Sequence, residues 1–196
     1  MVSKHKYGNK LIIISPNNID DNNIIYSMLE TQGDIEAFED INKYRESLNA
    51  HQELNQSKTY ENKIHKSYIL DKCIDRTEDL EPRNIISYSF CRARSLCIPL
   101  LVLSVNKLSD ATCIARGNAT DIIIWKPNEG DLNKIAREYG TCFNGYENFL
   151  KTYNDNIKDE DFCYLDILRS PPIMYKNFDK EIDVGNKYII NYNHHK

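Results

Sequence analysis

Short apolar runs alternate along the chain with stretches in which apolar residues recur at helical spacing. Residues 11–14 form a continuous, isoleucine-rich run, which is typical of a strand buried on both faces of a parallel sheet. Helical spacing then continues from residue 20 until Gly33, which is a typical helix stop. The same criteria predict strands at 34–39, 84–90, 98–105 and 120–125, and helices at 40–49, 108–117 and 130–140.

Five strands that alternate with helices predict an α/β fold built on a five-stranded, parallel, doubly wound sheet of the flavodoxin-like type. Residues 1–144 are expected to form this domain, with a polar insertion at about 50–82. Residues 145–196 are expected to form a C-terminal extension, helical at first and then irregular or strand-like. This extension is expected to dock on the core or on a partner.

Charge and composition narrow the classes of partner. The net charge of -4 disfavours a general attraction to nucleic acid or to anionic membranes, because both require clustered Lys and Arg. No apolar run is long enough to span a bilayer, so a cytoplasmic protein is expected. The six cysteines include no C-x-x-C pair, which predicts reduced structural thiols rather than a metal or redox site.

Ligands of open parallel sheets bind beyond the carboxyl ends of the strands, so the residues after each predicted strand are candidates for a site. Residues 98–135, IPLLVLSVNKLSDATCIARGNATDIIIWKPNEGDLNKI, carry a Ser at the end of the fourth strand, Ala-Thr-Asp before the fifth and Lys-Pro after it. In this order they resemble the receiver domain of bacterial response regulators, and the resemblance extends over about residues 10–140.

The resemblance implies a switch that is phosphorylated on an aspartate and depends on Mg²⁺. Ser104 and Lys126 match the family's phosphate-binding residues, whereas the acidic pair falls on Ser15 and Pro16 and the phosphoacceptor on Ser89. Serine and proline supply neither a metal-binding carboxylate nor an acyl phosphate. The sequence therefore predicts a pseudo-receiver that cannot be phosphorylated, with no catalytic residue, metal or cofactor, and no enzymatic activity.

By the same resemblance, the function is expected to be binding of a protein partner or homodimerisation in signalling. Receivers commonly use the face formed by the fourth helix, the fifth strand and the last helix for such contacts. The corresponding residues here are Leu108, Ile114, Trp125, Leu132 and Ile135.

Two alternatives remain open from the sequence. One is a true phosphorelay receiver in which Asp20 or Asp21 holds Mg²⁺. The other is a small flavodoxin-like enzyme or ligand-binding domain that uses the loop at residues 15–18 and Lys126 for an anionic ligand. Glycine is scarce, and none follows the first strand closely enough to form a phosphate-binding loop.

Overall fold

The computed structural model describes residues 9–15, 35–71, 73 and 80–185. Eight strands and five α-helices lie within these residues. In chain order they are β1 (Asn9–Ile14), β2 (Ile35–Phe38), α1 (Ile41–Gln56), β3 (Ser67–Asp71), α2 (Leu80–Arg92), β4 (Leu100–Val105), α3 (Cys113–Asn118), β5 (Asp121–Trp125), α4 (Glu129–Tyr139), α5 (Tyr146–Asn156), β6 (Phe162–Asp166), β7 (Ile173–Lys176) and β8 (Lys180–Ile182).

All eight strands form one mixed sheet in the order β2-β3-β4-β1-β5-β6-β7-β8. The first five strands in this order are parallel, which confirms the predicted α/β class and its parallel core. The strand order differs from the flavodoxin-like order, in which β1 lies between β2 and β3. Here β1 lies between β4 and β5, so a different set of strand ends meets at the carboxyl edge.

The predicted strand at residues 84–90 is wrong, because these residues lie in α2. Ile86, Phe90 and Ala93 are buried at spacings of four and three residues, and Tyr88 between them is 46% exposed. This burial follows the helical period rather than the alternation of a strand. The β-branched run at residues 85–86 has strand propensity, but packing against the sheet overrides it.

The predicted insertion at about residues 50–82 contains regular structure. Its first part completes α1, and Ser67–Asp71 forms β3, a strand in the interior of the sheet. The first four residues of β3 are buried. The third strand of the chain is therefore Ser67–Asp71, whereas the prediction gave that place to residues 84–90.

Other local predictions are confirmed. Strands occur at the predicted positions around β1, β2, β4 and β5, and Asp40 caps α1 by accepting a hydrogen bond from the Asn42 N–H at 2.8 Å. The helix predicted at 108–117 is divided into a 3₁₀ turn, Leu108–Asp110, and α3, which Thr112 caps. The helix predicted from residue 20 lies outside the described residues.

Alternation along the strands gives the sheet two different faces. We call the first the helix face, because Ile12, Leu103 and Ile124 pack there in one core with buried residues of α1 to α5. We call the second the site face, which carries Ile13, Val102 and other strand residues in a smaller cluster.

Residues after 145 add α5 and three strands to the same structure. β6 pairs with β5 in antiparallel register, and β7 and β8 extend the sheet further. α5 contributes Phe149 and Tyr153 to the core of the helix face. None of the described helices combines the length and the apolar character needed to cross a membrane.

Candidate functional site

The carboxyl edge of the parallel strands brings an aspartate and a serine side by side. Asp71 is the last residue of β3, and it is in register with Ser104 of β4. Ser104 is in turn in register with Ile13 of β1. Neighbouring strands lie about 4.8 Å apart, and residues in register project from the same face. Asp71 and Ser104 therefore lie next to each other on the site face.

The local sequence explains how a carboxylate reaches this position. Tyr68, Ile69 and Leu70 are buried within the sheet, whereas Asp71 at the strand end is only partly buried. Among the described residues, no ion pair engages the Asp71 carboxylate. A hard, partly solvated carboxylate at a strand end is suited to a divalent cation such as Mg²⁺.

Ser15 directly follows β1 and lies at the same carboxyl edge of the sheet. Its N–H donates a hydrogen bond to the Val105 carbonyl at 2.9 Å, and the residue is 2% exposed. Ile14 is in register with Val105 on one side and with Ile124 on the other. Extended by one residue, this register places Ser15 between Asn106 and Trp125.

The remaining residues of the predicted phosphoacceptor pocket do not join this group. Ser89 is fully buried in α2, where its hydroxyl donates to the Ile85 carbonyl at 2.8 Å and accepts from the Tyr44 hydroxyl at 2.6 Å. It therefore follows no strand, and the position predicted for the phosphoacceptor is part of the core. Pro16, Asp20 and Asp21 lie outside the described residues.

Lys126 follows β5, as the sequence predicts, but it belongs to a different surface. It is exposed, has a φ of 43°, and lines an open groove of about 540 Å³ with residues of α4 and α5. Leu132, Tyr153 and Ile157 line the same groove and belong to the core of the helix face. The structure therefore separates Lys126 from Asp71 and Ser104.

The residues of the predicted interaction face do not share one exposed surface. Leu108, Leu132 and Ile135 are buried in the core of the helix face. Trp125 is partly buried and stacks on Phe162, with ring centroids 5.7 Å apart. Ile114 alone of the five is exposed, at 46%. The expected protein partner or second copy stays a prediction.

A second polar cluster on the site face lies at the amino end of β5. The Tyr164 hydroxyl donates to the Asp121 carboxylate at 2.7 Å, and the Thr120 hydroxyl donates to the same carboxylate at 2.5 Å. Burial and the neighbouring Asp121 carboxylate raise the pKa of Tyr164. The tyrosine therefore stays protonated, and the cluster acts as a structural hydrogen-bond network.

Sequence reasoning missed Asp71, the most informative residue of this edge. Its signal is the stretch Ser67–Asp71, a short apolar run that ends in a carboxylate. Polar flanks on both sides concealed this run within the predicted insertion. Within the described residues, no group of three or more His, Cys, Asp or Glu side chains could hold a metal ion. A cation at Asp71 would need other ligands, and Mg²⁺ is usually bound by one or two carboxylates together with substrate phosphates and water.

Comparisons with known proteins identify a shared fold. No family profile and no curated protein matches the chain. Among solved structures, it is similar to the genome packaging NTPase B204 from Sulfolobus turreted icosahedral virus 2 in three states. The complex with ATP-gammaS has 13% identity, a TM-score of 0.59 and coverage of 87% of this chain and 97% of that one. The AMPPCP complex has 12% identity and a TM-score of 0.60, with coverage of 86% of this chain and 97% of that one. The sulfate complex has 12% identity and a TM-score of 0.61, with coverage of 88% of this chain and 97% of that one.

These matches overturn the receiver interpretation. At this level of identity they show the fold, and that fold is the one of a nucleotide-bound NTPase rather than of a response-regulator receiver. The strand order independently disagrees with a receiver, because β1 lies between β4 and β5. The predicted pseudo-receiver family, its signalling function and the expected absence of enzymatic activity are therefore wrong as predictions from family resemblance.

The carboxyl edge offers a carboxylate that could hold Mg²⁺ but no phosphate-binding loop of the usual kind. Asp71 at the end of β3 has the chemistry of the aspartate that holds Mg²⁺ in P-loop NTPases. Those proteins cradle the phosphates with the sequence G-x-x-x-x-G-K-[ST] after the first strand. Residues 11–32 of this chain contain no glycine, lysine or arginine. A carboxylate with suitable chemistry for Mg²⁺ is thus present at the end of β3, and the usual phosphate-binding loop is missing from the sequence.

Proposed function

We propose that this protein binds a nucleoside triphosphate together with Mg²⁺ at the carboxyl edge of the parallel strands, with Asp71 as the protein ligand of the metal. The observation that supports this is the strand order, which places Asp71 beside Ser104 and two strands away from the end of β1. The fold is shared with an NTPase that is found with ATP-gammaS and with AMPPCP.

We expect nucleotide binding to depend more strongly on Mg²⁺ here than in a protein whose phosphate-binding loop carries a lysine. A triphosphate and the Asp71 carboxylate are both negative, so they repel each other in the absence of a cation. Residues 11–32 carry no basic side chain that could offset this repulsion. Nucleotide binding should therefore depend steeply on Mg²⁺.

The chain's own groups have separate tasks in this arrangement. The Asp71 carboxylate accepts the cation and fixes its position relative to the sheet. The Ser104 hydroxyl beside it can donate or accept a hydrogen bond, and it can therefore orient a phosphate oxygen or a metal-bound water. Bound Mg²⁺ would supply charge neutralisation for the phosphate oxygens.

The test is equilibrium dialysis of ATP against the protein with Mg²⁺ and with EDTA, for the wild type and Asp71→Asn. Phosphate release is measured on the same samples, because the structural neighbours are NTPases. Asp155→Asn is the control, since Asp155 is exposed on α5. We expect EDTA to abolish binding and Asp71→Asn to weaken it by about tenfold or more. Binding that survives both EDTA and Asp71→Asn would contradict the proposal.

A further inference from the structure

A second carboxylate, that of Glu39, lies beside Asp71 at the carboxyl edge. Phe38 at the end of β2 is in register with Leu70 of the parallel strand β3. Extended by one residue, this register pairs Glu39 with Asp71, and neighbouring strands lie about 4.8 Å apart. Residues in register project from the same face, so Glu39, Asp71 and Ser104 form one row on the site face.

The alternation of side chains along β2 agrees with this placement. Ile35 packs against the cluster of the site face, whereas Phe38 packs against the core of the helix face. Because successive strand residues alternate between faces, Ala37 and Glu39 follow Ile35 on the site face. Glu39 thus leaves the sheet on the face that carries Asp71.

The thiol of Cys73 gives separate evidence that the ends of β2 and β3 are close. It donates a hydrogen bond to the Phe38 carbonyl at 2.9 Å, which ties the chain after β3 to the end of β2. Burial and the negative charges of Asp71, Asp40 and Glu39 raise the pKa of this thiol to about 12. The three carboxylates therefore lie near one buried group.

The two carboxylates that follow β2 differ in what they contact. Asp40 caps α1 and accepts a hydrogen bond from the Asn42 N–H at 2.8 Å. Glu39 is exposed, and in the part of the chain that the structure describes no hydrogen bond or ion pair engages its carboxylate. Glu39 is therefore available to a ligand held at Asp71, and Asp40 is occupied by the helix.

The strand order determines the side of a bound phosphate on which Glu39 lies. With the terminal phosphate at Asp71, the rest of the nucleotide extends over β4 and β1, because β2 is the last described strand on the other side of β3. Phosphoryl transfer requires the attacking and leaving oxygens to lie roughly in line through phosphorus. The leaving diphosphate lies towards β4, so the attacking water lies towards β2 and Glu39.

We infer that Glu39 is the general base for hydrolysis of the bound nucleoside triphosphate. Its carboxylate accepts a hydrogen bond from the attacking water and takes its proton as the water oxygen bonds to the γ-phosphorus. The bond from the γ-phosphorus to the bridging oxygen breaks, and the nucleoside diphosphate leaves with that electron pair. Glu39 then releases the proton to solvent. The inference rests on the proposed function, in which Asp71 holds the metal and the phosphates lie beside it.

The test compares Glu39→Gln with Asp40→Asn in the full chain. Each variant removes one carboxylate charge at adjacent positions, and Asn still caps a helix, so Asp40→Asn is the matched control. Phosphate release is measured with Mg-ATP, and the bound nucleotide is extracted and identified as ATP or ADP. We expect Glu39→Gln to release phosphate about 100-fold more slowly or less and to retain ATP. Asp40→Asn should match the wild type.

Affinity distinguishes a base from a second metal ligand. Glu39→Gln removes a negative charge near the triphosphate, so equilibrium dialysis should show an affinity for Mg-ATP equal to or higher than that of the wild type. Asp71→Asn should lose affinity. Glu39→Asp, which keeps the charge on a shorter side chain, should release phosphate at a rate between those of the wild type and Glu39→Gln, and it tests the same group in a second variant.

The outcomes distinguish failure of the inference from failure of the proposed function. Phosphate release at the wild-type rate in Glu39→Gln would overturn the inference, and so would a loss of Mg-ATP affinity as large as that of Asp71→Asn. A wild type that binds Mg-ATP and releases no phosphate would overturn the inference and leave the proposed binding site intact. A wild type that does not bind Mg-ATP would overturn both.

Discussion

The two faces of the sheet differ in what they carry at the same strand ends. On the helix face, Val105 and Ile124 are buried against helices in a core dominated by apolar side chains. On the site face, the neighbouring positions are Ser104, Asp71 and Trp125. Because successive side chains of a strand alternate between faces, one short apolar run can stabilise the fold on one side and position polar groups on the other. Substitutions on the helix face should therefore change stability, and substitutions on the site face should change binding.

The largest expected effect comes from opening a cavity on the helix face. Phe90 is fully buried in α2, and Phe90→Ala should lower the free energy of unfolding by about 3–5 kcal/mol. Tyr88→Ala, two residues away on the exposed side of the same helix, should change it by less than about 0.5 kcal/mol. Urea unfolding measures both. Similar losses for the two variants would show that α2 does not pack by this face.

A smaller effect on the helix face depends on pH. His51 is 2% exposed in α1, and its Nε2–H donates to the Leu96 carbonyl at 2.8 Å. Burial lowers the pKa of His51, and the positive charges of Lys66 and His65 lower it further, against the opposing effects of the Leu96 hydrogen bond and Glu36.

The sign follows from proton linkage. Below the unfolded-state pKa of about 6.5, the unfolded chain binds a proton at His51 that the folded chain does not bind, so stability falls as the pH is lowered through this region. Urea unfolding between pH 8 and pH 5 should show a steeper loss for the wild type than for His51→Gln. A His51→Gln variant that follows the wild-type curve would exclude the buried histidine as a cause.

The smallest expected effect concerns Lys126, which follows β5 but lies on a different surface from Asp71. Lys126 is exposed and lines the groove beside α4 and α5, not the face that carries Asp71. Removal of its charge in Lys126→Gln should change the affinity for Mg-ATP by no more than about twofold, since exposed charges are screened by salt. Equilibrium dialysis with the same ATP concentrations measures this. A loss as large as that of Asp71→Asn would place Lys126 at the nucleotide after all.

The sequence allowed prediction of elements with a strong local signal. The isoleucine run of β1, the amphipathic pattern of α4 and the Asp40 cap each depend on near neighbours, and each was found at the predicted place. The strand order depends on contacts between distant segments. One strand placed at 84–90 and one missed at Ser67–Asp71 were enough to give the wrong fold family.

The set of candidate site residues was partly wrong for the same reason. Ser104 and Ser15 were identified because they follow strands that were predicted correctly. Asp71 was missed because its strand was missed, and Ser89 was included because a helix was taken for a strand. The sequence analysis placed no carboxylate at the carboxyl edge, whereas the structure places Asp71 there, at the end of β3.

The most direct test of the account locates the metal. Mn²⁺ replaces Mg²⁺ in the complex with ATP, and its paramagnetism broadens the NMR signals of nearby backbone amides. We expect the broadening to centre on Asp71 and Ser104, to reach Ser15, and to disappear in Asp71→Asn. Broadening that centres instead on Glu129 and Asp159, the carboxylates of the groove that Lys126 lines, would contradict the account, because the metal would then lie outside the site at β3.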